Sequence, residues 1–225
     1  MTDATSHPHG HEYSSPPIMD EAFWDERYGS RGSLWSGDPN PQLVREAQSL
    51  QPGVGLDVGC GEGGDAIWLA QLGWHVTGVD ISSVALARAR AHAAQTGSDL
   101  ADRLEWLHVD LDDFIPEPNS YSLVSAQFVH LATGQREDLH RRLADAVAPG
   151  GTLLIVSHDL SDLGTTMRRP PFPEFFATPE ETVNALPTDE WLVVVAEARP
   201  RRATDPNGDQ ITIHDAVVRM QRHDH

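Results

Sequence analysis

One stretch constrains this chain more than any other: Asp57-Val58-Gly59-Cys60-Gly61-Glu62-Gly63, set between an apolar run and an amphipathic one. Val54–Val58 has the length and apolar character of a buried strand. After the glycines, Ala66, Ile67, Leu69, Ala70 and Leu72 recur at helical spacing until Gly73. A glycine-rich turn between strand and helix lets the backbone approach a ligand closely and adopt positive φ. The helix that follows offers unpaired N–H groups and the positive end of its dipole.

The alternation continues. Trp74–Val79 predicts a strand ending at Asp80, and Ser82 caps a helix carrying Val84, Ala85, Leu86 and Ala89. Leu104–Val109 predicts a third strand ending at Asp110, and Tyr121–Phe128 a fourth. Leu139, Leu143, Ala146 and Val147 mark another helix, which Pro149-Gly150-Gly151 is expected to end before a fifth strand, Thr152–Ser157. Short connections between alternating strands and helices imply parallel strands joined by right-handed crossovers. Trp191–Ala198 and Ile211–Met220 flank Asp205-Pro206-Asn207-Gly208, which predicts a terminal antiparallel hairpin. The expected architecture is α/β: a seven-stranded, mostly parallel sheet with helices on both faces and a C-terminal antiparallel hairpin. Residues 1–18 read as a disordered arm, 19–50 as a helical cap or lid rich in aromatics, and 51–225 as the main domain. The proline-rich segment 160–190 reads as a substrate-side insertion.

Composition closes off several chemistries. The formal net charge is −18, and all 16 basic residues are Arg. Without lysine there is no Schiff-base chemistry, phosphate-loop lysine or Ser-x-x-Lys acylation. One cysteine, Cys60, excludes an internal disulfide framework and multi-cysteine metal sites. An acidic chain is ill suited to nucleic acid or to an anionic membrane surface. The sequence shows no signal-peptide pattern and no apolar run of membrane-spanning length, so a cytoplasmic location is expected. His7, His9 and His11 alternate in the arm, but metal ligation there would require ordering a flexible segment, and no metal site is expected.

Gly59, Gly61 and Gly64 by themselves also fit the G-x-G-x-x-G dinucleotide fingerprint. The acids separate the readings. Asp57, Asp80 and Asp110 stand at the ends of three successive strands, where a cationic nucleoside is favoured over a pyrophosphate. S-adenosylmethionine has the matching parts: an ammonium, a sulfonium, a ribose and an adenine. On these residues the chain resembles the class I S-adenosylmethionine-dependent methyltransferases, which have a Rossmann-like fold. Leu56–Gly63 is similar to their first motif, Val79-Asp80-Ile81-Ser82 to the second, and His108-Val109-Asp110-Leu111 to the adenine-binding stretch. Leu69 to Asp80 and the Trp/Pro-containing preamble most resemble the tellurite-resistance and thiopurine methyltransferase branch. The resemblance implies that Asp57 holds the methionine ammonium and that Gly59, Cys60 and Gly61 pass beneath the methionine portion. It further implies that Asp80 takes the ribose, Ile81 and Leu111 pack on the adenine, Asp110 meets the adenine amino group and Gln127 lines the methionine end.

Methyl transfer from a sulfonium needs positioning and a dry site, and needs a general base only when the acceptor arrives protonated. His130 and His158 follow the fourth and fifth strands and are candidate catalytic bases; the alternative is a structural histidine. Arg168 and Arg169 are candidates to hold an acceptor oxyanion, against a solvated loop pair. Tyr28 and Trp35 are candidate acceptor-side lid residues, against a packed flap. Asp80 as a helix cap and Asp110 as a turn former also stay open. The expected function is transfer of a methyl group to a small-molecule acceptor by a monomer or weak homodimer. A nicotinamide-dependent oxidoreductase and a catalytically silent binding protein are the alternatives.

Overall fold

The computed structural model describes residues 16–30, 32, 37–169, 171–186 and 189–224. The histidines of the arm and Trp35 lie outside the described residues. One sheet holds seven strands: β1 Val54–Val58, β2 His75–Asp80, β3 Leu104–His108, β4 Tyr121–Gln127, β5 Val147–His158, β6 Trp191–Thr204 and β7 Gln210–Arg222. Their order is β3-β2-β1-β4-β5-β7-β6. β1 to β5 pair in parallel, and β7 enters antiparallel between β5 and β6. The chain reverses its direction of travel across the sheet between β1 and β4. The carboxyl ends of those two strands therefore flank the crevice where open α/β sheets take ligands.

Among the described residues seven α-helices accompany the strands: α1 Glu21–Gly29, α2 Pro41–Ala47, α3 Gly64–Gln71, α4 Ser83–Gln95, α5 Ser98–Ala101, α6 Thr133–Ala146 and α7 Pro179–Asn184. The central strands β1, β4 and β5 are buried on both faces, as their near-continuous apolar runs require, while the edge strand β6 is largely exposed. On one face Leu56, Val58, Val79 and Val124 meet Leu139 and Leu143 of α6. On the other, Val76, Leu123, Leu154 and Val156 meet Leu43 of α2 and Ala66 and Leu69 of α3. Leu123 and Val124 serve opposite cores because side chains alternate along a strand.

The structure departs from the sequence expectation in three places. Pro149-Gly150-Gly151 does not separate α6 from the next strand: α6 ends at Ala146, and β5 begins at Val147 and contains all three. A register shift absorbs them, with Tyr121 opposite Val147 and then Leu123 opposite Thr152. The hairpin strands are longer than their apolar cores, and Pro200 is tolerated in β6 because β6 is an edge strand. The short polar helix α5 had no apolar period to announce it. Segment 160–190 follows β5 with 3-10 turns at Leu160–Gly164 and Pro173–Phe175, and then α7. A capping box of Thr178 and Glu181 starts α7.

Gly78 marks the tightest packing under the glycine turn. A Cβ there would lie 2.7 Å from Trp106 Cε3 and Cζ3 and 3.0 Å from Cys60 Sγ. The indole is rigid and cannot give way. Gly78→Ala is expected to destabilise the protein by about 1–3 kcal/mol, as overpacking does. Urea unfolding checks this, and an unchanged midpoint would contradict it.

Candidate active site

The cradle is built by backbone geometry. Gly59, Gly61 and Gly63 adopt φ of 69°, 54° and 85°, a region L side chains rarely occupy. The N–H groups of Gly59 and Cys60 donate to Val79 O at 2.9 and 3.0 Å, folding the turn onto the end of β2. There the Asp80 carboxylate accepts from Gly61 N–H and from Ser82 N–H, both at 2.8 Å. Burial raises the Asp80 pKa, and these two donors partly offset that. Ser82 caps α4 through Ala85 N–H, so the capping role belongs to Ser82.

Behind the turn, Asp57 is 2% exposed. Burial, then the charges of Asp65 and Asp80, push its carboxyl well above the usual range, against a hydrogen bond from Ala66 N–H. Its Oδ2 is buried and has no hydrogen-bond partner. Gln127, near the end of the neighbouring β4, donates from Nε2 to Ser125 Oγ at 2.8 Å and leaves Oε1 buried and unpartnered. Asp57 lies opposite Ser125 in the sheet, so both orphan oxygens belong to adjacent strands. Buried acceptors lacking a donor are rare, and an ammonium is the group that suits this pair. Asp65, which sequence reasoning missed, accepts from Asn40 N–H at 2.6 Å. Burial raises its pKa to about 6, with that bond opposing.

On the adenine side, Ile81 is half-buried and its carbonyl lies 2.8 Å from His108 Nε2. Leu111 is buried in the core beside Val79. Asp110 is exposed and accepts from Asp112 N–H at 2.9 Å, the turn role. Cys60 is buried, and burial followed by the nearby Asp57 and Asp80 charges raises its thiol pKa well up, so it stays protonated and packs as a small side chain.

Helix α1 spans both halves of the site. Asp20 caps it through Phe23 N–H at 3.0 Å. On one stripe Asp25 accepts from Ser82 Oγ at 2.6 Å, Ser83 Oγ at 3.0 Å and Val84 N–H at 3.2 Å, while Glu21 lies 3.1 Å from His108. Burial pushes the Asp25 pKa up, but these hydrogen bonds outweigh it and hold the carboxyl below its usual range. One step round the helix, Trp24 and Tyr28 face the other way, with ring centroids 6.3 Å apart and Tyr28 buried. No local pattern joins Asp25 to serines 57 and 58 residues on, so the sequence could not reveal this clamp. Asp25→Ala is expected to release α1, raising amide exchange in residues 21–29 and weakening S-adenosylhomocysteine binding roughly tenfold. Unchanged exchange protection would contradict the clamp.

The ends of β4 and β5 bring the two candidate histidines together, their ring centroids 5.7 Å apart. Trp24 lies 5.6 Å from His130, while Phe128 at 4.6 Å and Phe176 at 6.3 Å flank His158. Phe128 has φ of 54°, a strained conformation for a bulky residue and of the kind that clusters at functional sites. Burial, then Arg27 and Arg169, lower the His130 pKa to about 4. Burial, then Arg169, His130 and Arg201, lower that of His158 to about 2. Both imidazoles are therefore neutral at pH 7, and His158 Nδ1 is buried without a partner. The expected arginine pair is split. Arg168 is exposed, whereas Arg169 turns inward, its Nη2 3.6 Å from the buried Asp162.

An open α/β sheet with acidic groups at the strand ends of its switch point defines a protein built to bind a cationic nucleoside. Residues 56–151 match the family model described as a methyltransferase domain. The thiopurine S-methyltransferase of Aliivibrio fischeri is 30% identical over 185 residues, covering 75% of this chain and 83% of the relative. The chain belongs to the class I S-adenosylmethionine-dependent methyltransferases. Two solved structures share the fold. The protein solved for the conversion of a disulfide bond into a thioacetal group during echinomycin biosynthesis superposes with a TM-score of 0.70 at 21% identity, covering 92% of this chain and 93% of that one. TehB from Haemophilus influenzae superposes with a TM-score of 0.66 at 20% identity, covering 90% and 66%. Among the described residues no helix is long and apolar enough to cross a membrane, and no group of three or more His, Cys, Asp or Glu is placed to hold a metal.

Proposed function

We propose that this methyltransferase acts on a small-molecule acceptor, which enters between α1, the loop after β4 and the end of β5. The observation that carries this reading is the cluster of Trp24, Phe128, His130, His158 and Phe176 rings at the carboxyl ends of β4 and β5, where β4 ends in Gln127 with its orphan Oε1. S-adenosylmethionine supplies an electrophilic methyl carbon and a neutral thioether leaving group. Asp57 and Gln127 hold the ammonium, Asp80 orients the ribose, and Ile81 packs on the adenine. Such anchoring fixes where the methyl points and so supplies much of the catalysis. The aromatic walls exclude water. His130 and His158, uncharged at neutral pH, contact the acceptor and can take a proton from it, though burial and Arg169 keep them weak bases. A net charge of −18 weighs against an RNA acceptor.

Release of S-adenosylhomocysteine from a panel of small thiols, phenols, amines and acids tests the proposal. Turnover of at least one of them, lost on His158→Ala while cofactor affinity is kept, is the expected result. Turnover only on RNA or protein would overturn it.

A further inference from the structure

The acceptor side of the site carries an electrostatic arrangement opposite to that of the cofactor side. Asp57, Asp65 and Asp80 surround the cradle, whereas Arg27, Arg169 and Arg201 lie near the two imidazoles. Two carboxylates, Asp162 and Asp215, face those arginines. Asp215 is already engaged, with Arg201 Nε at 2.8 Å and Gln42 Nε2 at 3.1 Å. Asp162 accepts His214 N–H at 2.9 Å through Oδ1, and its Oδ2 meets Arg169 Nη2 only at 3.6 Å, beyond hydrogen-bond reach. A third carboxylate, Asp159, is also buried here, but its Oδ1 is taken by Ser161 N–H at 3.0 Å and Ser161 Oγ at 2.6 Å.

Arg169 is the underused member. Its Nε is buried with no hydrogen-bond partner, as is His158 Nδ1, yet 18% of its side chain remains exposed. A guanidinium is a planar fork of five donors, and one long ion pair leaves most of them unspent. Its charge acts on both imidazoles, and the His158 ring is flanked by those of Phe128 and Phe176.

We propose that Arg169 anchors a small planar acceptor through a delocalised oxyanion of the carboxylate type, with the body of the acceptor held between the Phe128, His158 and Phe176 rings. This rests on the reading that the acceptor enters at this cluster, and it names the acceptor's chemical class. An anion beside Arg169 takes up its unspent donors and faces the cationic donor across the site. An acceptor that arrives charged also makes small demands on two weakly basic imidazoles.

The test is an NMR titration of the histidine ring signals in protein saturated with S-adenosylhomocysteine, using benzoate and its uncharged isostere benzamide. Benzoate is expected to bind about tenfold or more tightly than benzamide. Arg169→Met should reduce that preference to less than about twofold, Arg169→Lys should leave an intermediate preference, and Arg168→Met should retain it. Affinity for S-adenosylhomocysteine reports that each variant is folded, and Arg169→Lys carries the test if Arg169→Met is not. Equal binding of the two probes, no benzoate binding in the low millimolar range, or a preference that survives loss of Arg169 would overturn the proposal. Benzoate held by Arg169 with no methyl transfer to any small acceptor would sink the proposed function and leave the anion site standing. Turnover confined to uncharged acceptors would do the reverse.

Discussion

Asp57→Asn is expected to make the protein more stable and, at the same time, unable to hold its cofactor well. Burying a carboxylate next to Asp65 and Asp80 is unfavourable, as the strongly raised Asp57 pKa records. An amide keeps an acceptor for Ala66 N–H and removes the charge. A native-state pKa above the unfolded value means that the folded protein binds more protons than the unfolded one, so ionising Asp57 subtracts stability as pH rises. Below about pH 4 both states are protonated and the variant gains nothing; the gain grows as pH rises above that. The ammonium of S-adenosylhomocysteine reverses the sign, because it pairs with the ionised carboxylate. Calorimetric titration should show a loss of about tenfold to 100-fold in affinity for Asp57→Asn at pH 7. Wild-type affinity should rise with pH as Asp57 ionises, from its raised pKa upward. A variant that is less stable and binds as well as the wild type would contradict the assignment.

The second large effect lies where the cap meets the sheet. Arg199 donates from Nη2 to Glu46 Oε1 at 2.6 Å and from Nη1 to Gln42 Oε1 at 3.0 Å, tying β6 to α2. Gln42 passes the connection to Asp215, and Asp215 to Arg201. Arg199 and Glu46 are 7% and 6% exposed in their side chains. Removing Arg199 leaves the buried Glu46 with only the longer contacts to Arg219 Nη1 at 3.4 Å and Arg45 Nε at 4.0 Å, so Arg199→Met should cost about 2 kcal/mol in urea unfolding. Replacing both, Glu46→Leu with Arg199→Met, should recover only part of that loss, because the desolvated Glu46 charge is gone but Arg219 then loses its carboxylate partner. A double variant as unstable as the single one would show that the pair itself, and not the orphaned charge, sets the cost.

The cradle was legible because its elements are local. The glycines, Asp57 and Asp80 stand at fixed distances from the ends of β1 and β2, and strand alternation alone locates those ends. The pairing of His130 with His158 was half legible: both follow strands, but only the adjacency of β4 and β5 brings the rings within 5.7 Å. Asp25 and Asp65 were not legible, since each acts on backbone far along the chain. Arg168 and Arg169 read alike as neighbours, and only the folded chain separates them, Arg168 exposed and Arg169 turned inward toward Asp162. Pro149-Gly150-Gly151 misled because a proline and two glycines fit a strand irregularity as readily as a helix stop.

The most direct measurement is a crystal structure of the complex with S-adenosylhomocysteine. The amino nitrogen should lie within hydrogen-bond distance of both Asp57 Oδ2 and Gln127 Oε1, with the sulfur turned toward the His130–His158 pair. An amino group bound elsewhere, or a sulfur facing away from the two imidazoles, would contradict the account.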